Sequence, residues 1–223
     1  MTRRIAFVLA ASSVALATAA AVWAGDGKYQ IRFNAADQAA ARAVAIRASD
    51  LGSSGWQGGR VNPSLSDLSS GLSCPNYHPK LSDLVITGAA GARYRRSAFE
   101  FDSVSEVLKT HRMVVLDWRR SVLVPGALPC LRREVINGLG SSAKLVSFRK
   151  LPFSHVSTYA ALFRGVISAQ TAGQNVSILV DLLLLGQSRT EITLNAAGPV
   201  AAQSAISAAE RRLARTLVSR VND

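Results

Sequence analysis

Hydrophobic and polar residues alternate along the second half of this chain and repeat at helical spacing elsewhere. Lys144 to Leu151 reads as one strand. Ser157 to Gln170 carries Tyr159, Ala161, Phe163, Gly165 and Ile167 at period two and predicts another. Asn175 to Leu185 is rich in leucine and β-branched residues, and Arg189, Glu191 and Thr193 alternate with Thr190, Ile192 and Leu194. Thr171 to Gln174 and Gly186 to Ser188 are turn sequences, so these last three strands should form an antiparallel meander. Gly198-Pro199 closes it. From Val200 to Val221 the period changes: Ile206, Ala209, Leu213 and Leu217 share one helical face, while Arg211, Arg212, Arg215 and Arg220 take others.

The first half is less regular. Residues 25–34 form a short mixed stretch expected to be flexible. Asn34 is a good N-cap for a helix from Ala35 to Leu51, ended by Gly52. Gly52 to Pro79 is rich in Ser, Gly and Pro and reads as loop. Leu84-Val85-Ile86 predicts a short strand ending at Gly88, and Ala92 to Phe101 a second one. Val104, Val107, Leu108, His111, Val114, Trp118 and Val122 recur at helical spacing and predict a helix from Ser103 to Ser121. A shorter helix, Pro129 to Ile136, stops at Asn137-Gly138. The order predicts an α+β fold: an antiparallel sheet packed by helices, as one domain over residues 35–222.

Residues 1–24 have the three-part layout of a secretory signal peptide. Met1-Thr2-Arg3-Arg4 is basic, Ile5 to Ala21 is uncharged, and Val22-Trp23-Ala24 places small residues before a cleavage point. Ala17-Thr18-Ala19 offers an earlier one. The alternative is a retained anchor, because the 17-residue run sits at the short edge of a membrane span. The chain is strongly basic, with 26 Lys and Arg against 14 Asp and Glu and a formal charge of +12. The charges are scattered, without interleaved aromatics, which argues against nucleic acid. An anionic envelope component or a small molecule is the expected partner, with membrane contact only through an uncleaved leader. Cys74 and Cys130 predict a disulfide in an exported chain. Zinc would need about four closely spaced ligands, and redox catalysis would want Cys-x-x-Cys.

Candidate chemistry is sparse. No Gly-x-Ser-x-Gly elbow, phosphate loop, dinucleotide fingerprint or metal-spaced cluster occurs, so no catalytic residue, metal or cofactor is expected. His78 lies beside Cys74, His155 lies between strands, and His111 is expected at the core or its rim. Asp117 and Glu134 read as helix-surface charges, and Trp118 as core. Asp181 interrupts the most apolar strand and should face water or, failing that, a ligand. Arg119, Arg120 and Arg132, with Arg133, are the candidates for a basic ligand-binding patch. Asn175-Val176-Ser177 matches a glycosylation acceptor but opens a strand, and the Ala/Arg-rich style of the chain is bacterial.

Leu128-Pro129-Cys130-Leu131 follows the predicted middle helix. The run from Val180-Asp181-Leu182-Leu183 through Gly186-Gln187-Ser188-Arg189 to Thr193-Leu194 leads into the C-terminal helix. In this order of elements, residues 35–220 resemble the PknH-like extracellular sensor domains and LpqN-type lipoprotein families, which have a PsbP-like α/β/α sandwich. The PknH-like domain carries two disulfides where this chain can form one, and the leader has no lipobox cysteine. The resemblance implies a non-enzymatic, secreted or envelope-associated sensor-like domain with a ligand cleft beside the sheet. The alternatives are a cryptic serine hydrolase using a serine near His111 or His155, or a structural cell-wall protein held by positive charge.

Overall fold

The computed structural model describes residues 28–52, 54–69, 74–171 and 174–221. The leader and its cleavage points lie outside the described residues. The body is an α+β layer fold built on one eight-stranded sheet. Its strands are β1 (Gln30–Ile31), β2 (Gln57–Val61), β3 (Val85–Arg96), β4 (Phe99–Leu108), β5 (Ala143–Leu151), β6 (Tyr159–Thr171), β7 (Gln174–Gln187) and β8 (Thr190–Pro199). Across the sheet the order is β1-β3-β4-β8-β7-β6-β5, with β2 also on β3. Every pairing is antiparallel except β1 with β3. The meander expected from the sequence is β6-β7-β8.

Helices cover both faces. On one lie α1 (Ala35–Val44) and α5 (Gln203–Ser219), and on the other α3 (His111–Asp117) and α4 (Ala127–Gly138). The short α2 (Leu65–Ser69) lies near β1. Strand alternation divides the core accordingly. Phe101, Leu183, Leu185, Ile192 and Leu194 pack under α5 with Leu213 and Leu217. Ala161 and Phe163 face the other way, against Trp118, Val122 and Leu131. Burying each such side chain stabilises by about 1.5–3 kcal/mol.

Four expectations need correction. The first helix ends at Val44 rather than Leu51. Val44, Ala45 and Ile46 are consecutive and all buried, which one helical face cannot achieve. The chain therefore turns extended at Ala45, and the Ile46 N–H donates to Ser103 Oγ at 3.1 Å. The helix expected from Ser103 starts only at His111, because residues 103–108 complete β4. Its inward positions are Phe101, Ser103, Ser105 and Val107, and two serines conceal the alternation. They are serine because α1 lies close: Ser105 Oγ donates to Ala41 O at 2.6 Å. A Cβ at Gly88 would collide with the Asp37 carbonyl. Third, the two short strands expected at 84–86 and 92–101 are one strand, β3, plus the start of β4, joined at Ser97 with φ 52°. Fourth, the stretches expected to be irregular contain paired strands. Tyr29 is buried, Gln30 and Ile31 form β1, and the Gly-rich segment supplies β2 beside Trp56, which packs edge-on to Phe101.

The disulfide forms as expected. Cys74 and Cys130 are joined with Cα atoms 5.7 Å apart. It fastens the segment after α2 to α4, and Tyr77, three residues on, donates to the Ser121 carbonyl at 2.9 Å. No helix among the described residues is long and apolar enough to cross a membrane.

Candidate functional site

The helix after β4 roofs a cleft on the second face. Thr110 caps α3, its Oγ1 accepting from the Met113 N–H. After Asp117 the helix widens into one π turn, Trp118–Val122, in which the Leu123 N–H reaches the Trp118 carbonyl at 2.9 Å. A π turn aligns residues five apart, so Asp117, Trp118, Ser121 and Val122 all face inward. Trp118 stacks on Tyr159 and fits because residue 186 is glycine, where a Cβ would press on the indole.

The cleft holds about 310 Å³. Its floor is the outward row of β4 and β8, Asp102, Val104 and Glu106 beside Glu191, Thr193 and Asn195, flanked by Leu182 and Leu184 of β7. Asp117 and the π-turn residues Trp118, Ser121 and Val122 form the roof, and Val61, Pro63 and Leu68 a wall. Tyr29, Arg93, Asn62 and Ser64 also line it.

Four carboxyls, Asp102, Glu106, Asp117 and Glu191, thus line the cleft with a single guanidinium, Arg93, among the described lining residues. Arg93 Nε lies 3.3 Å from Glu100 and 3.9 Å from Asp102, at one end of the cleft. Asn195 Nδ2 also donates to Asp102, at 2.7 Å. At the other end Glu106 and Glu191 stand directly opposite in the β4–β8 register, where like charges repel. Asp117 accepts from Tyr29 Oη at 2.8 Å and from Ser121 Oγ at 2.6 Å. Glu191 shares a hydrogen bond with Asp117, yet its Oε1 is closed off from solvent with no partner.

Burial, with Asp117 next, pushes the Glu106 carboxyl up to about 8. Burial and then Asp117 raise Glu191 well above the usual carboxylate range. Asp102 rises to about 6, because burial outweighs the Asn195 amide and Arg93. Tyr29 is raised by burial and by Asp117. At neutral pH the Glu106–Glu191 end of the floor thus favours the protonated form, able to donate as well as accept hydrogen bonds, while Asp102 stays largely ionised.

The residues singled out in the sequence lie elsewhere. None of Arg119, Arg120, Arg132 and Asp181 lines the cleft. Arg119 and Arg132 are exposed on the outside of the α3–α4 layer. Arg120 is held to Asp83 by two hydrogen bonds and to the Lys80 carbonyl by a third. Asp181 does not face water: it is 3% exposed beneath α5 and paired through both oxygens with Arg164. His111 begins its helix exposed rather than in the core, and His78 and His155 are exposed too. Trp118 is core as expected, at 3% exposure, but Asp117 is no surface charge, being 6% exposed.

The residues the sequence reading missed are Tyr29, Glu106, Asp117 and Glu191. A signal existed for Glu191, which shares the polar face of its strand with Arg189 and Thr193. Among the described residues no group of three His, Cys, Asp or Glu side chains is disposed to hold a metal ion.

No protein-family model matches this chain, and no curated protein matches it. Among solved structures it is similar to LpqN of Mycobacterium tuberculosis, described as involved in cell envelope biogenesis. That similarity has a TM-score of 0.33 and 9% identity, over 72% of this chain and 76% of the other.

Proposed function

We propose that this chain is an exported, non-catalytic binding domain whose ligand occupies the cleft beneath α3. The observation that carries this reading is the cleft's composition: carboxyls of raised pKa in a concave, partly apolar space of about 310 Å³. Small-ligand sites commonly take that form, an apolar pocket with a few convergent polar groups. Export is supported by the leader pattern of residues 1–24 and by the cysteine pair that the fold brings together. A binding rather than catalytic role is supported by what the lining offers. The Ser121 hydroxyl donates to Asp117, and the three histidines are exposed away from the cleft, so no imidazole among the described lining residues is placed to take its proton.

Titrating the oxidised, nitrogen-15-labelled protein with neutral sugars, amines, carboxylates and phosphates tests this. Amide shifts clustered at Val104, Leu184 and Thr193 are expected. A response confined to Arg119 and Arg132 would place the ligand on the basic outer surface and overturn the cleft reading.

A further inference from the structure

We propose that the cleft takes an organic cation, with an ammonium head seated on Glu106 and Glu191 and an apolar body against Trp118, Val122, Leu182 and Leu184. This rests on the cleft reading above and adds its chemistry. Among the described lining residues the one cationic side chain is Arg93, at the far end from Glu106 and Glu191. Asp117 already has Tyr29 and Ser121, and Asp102 has Asn195 and Arg93. Among the described residues no Lys or Arg side chain lines the cleft beside Glu106 and Glu191, which face each other, and Glu191 Oε1 finds no hydrogen-bond partner. An ammonium supplies up to three donors and the missing charge at that place. An anionic ligand would find one cation in the described lining, Arg93, which already lies beside Glu100 and Asp102. An inorganic ion would want several carboxylates converging on one point, and no such group of three occurs among the described residues. The apolar walls in turn suit a body that a bare metal ion lacks.

Proton coupling is the signature. The titratable and charged groups facing the pair are Tyr29 beside β1, Asp117 from α3, and Asp102 and Arg93 further along the floor. Burial and the neighbouring Asp117 favour the protonated forms of Glu106 and Glu191 at neutral pH. A seated ammonium favours the carboxylate form, so a proton leaves to solvent as the cation enters. Below the Glu106 midpoint of about 8, affinity then rises about tenfold per pH unit for each proton released.

An isosteric trio separates the possibilities: 4-phenylbutylamine, 4-phenylbutanol and 4-phenylbutyrate, titrated into the full oxidised chain. Calorimetry in buffers of different ionisation enthalpy measures protons released, and the cleft amides report location. The amine should bind at the cleft about tenfold tighter than the alcohol, release about one proton and tighten about tenfold from pH 6.5 to 7.5. Glu106→Gln and Glu191→Gln, checked as folded by circular dichroism, should abolish the amine's advantage while the alcohol still binds. If the alcohol matches the amine at every pH, or either variant keeps the preference, the cation proposal is overturned while the cleft reading stands. Calcium chloride displacing the amine from the cleft amides would also overturn it, in favour of an inorganic ion. If none of the trio moves the cleft amides, the proposal falls. The sugar, carboxylate and phosphate arms of the panel then decide the cleft reading separately.

Discussion

The two faces of this sheet handle buried charge in opposite ways, although they share the same strands. Beneath α5, Asp181 meets the Arg164 guanidinium through both oxygens, and Ser207 Oγ accepts from the same arginine. Glu210 lies 3.7 Å from that arginine, and burial with the Asp181 charge pushes it up to about 9, so it is neutral near pH 7. One cation thus faces one anion in a closed layer. Beneath α3, four carboxyls have one arginine at their far end, and open space lies beside them. A matched buried charge is a packing solution, whereas buried carboxyls that favour their protons next to a cavity point to something that completes them.

Breaking the matched side should cost most. Arg164→Met leaves the Asp181 charge buried without its cation, a loss of about 3–5 kcal/mol in urea unfolding. Replacing the set together (R164M/D181L/E210L) should restore most of that loss, because an apolar trio needs no compensation. An equal loss in the triple variant would mean that the layer depends on the ion pair itself.

Next in size is the disulfide, which acts on the cleft side. Its 56-residue separation gives about 4 kcal/mol as an upper figure from loop-closure entropy, and about 2–4 kcal/mol is expected for Cys74→Ser with Cys130→Ser. The bridge fastens Tyr77, which holds the π turn of the cleft roof. Hydrogen exchange should therefore accelerate in α3 and α4 before α5. Uniform acceleration on both faces would dissolve the distinction between them.

The unmatched carboxyls should give the protein an unusual pH profile. Asp37, hydrogen-bonded by Arg189, is held down at about 2, so its contribution is present above the usual carboxylate range and lost as pH falls through about 2. Glu106 works in the other direction. Its folded value of about 8 exceeds its ordinary 4.5, so the folded chain binds more protons between those limits. Stability therefore falls as pH rises from about 4.5 to about 8, and Glu210 extends the fall to about 9. Maximum stability near pH 4–5 is expected, and Glu106→Gln should be more stable than wild type at pH 9 but not at pH 5. Thermal melts at pH 5, 7 and 9 measure it. A wild-type curve flat across that range would show that water already solvates the pair.

Sheet and helix periods were legible wherever the inward residues are large. The β6-β7-β8 meander, α4 and α5 follow from Phe163, Leu183, Leu194, Leu213 and their neighbours. The reading failed where α1 comes close, because close approach selects Gly88, Ala90, Ser103 and Ser105, which carry no hydrophobic signal. The cleft was hidden for a related reason. Glu106 and Glu191 have the polar alternation of a solvent-facing strand, and only the tertiary position of α3 covers them. Arg164 and Asp181 sit opposite each other in the β6–β7 register, yet without that register the aspartate could not be assigned a partner.

The smallest effect expected separates the cleft from the basic exterior. Arg120 is the most engaged of the arginines singled out in the sequence, holding Asp83 and the Lys80 carbonyl at the edge of the α3 layer. Both side chains are partly exposed, at 26% and 40%, so screening limits the pair. Arg120→Ala should cost no more than about 0.5–1 kcal/mol. Because its side chain lies outside the cleft, the variant should bind 4-phenylbutylamine as wild type does and with the same pH dependence. Amine affinity that falls with this substitution as steeply as with Glu191→Gln would show that the exterior charges govern binding, and that the contrast between the two faces was drawn in the wrong place.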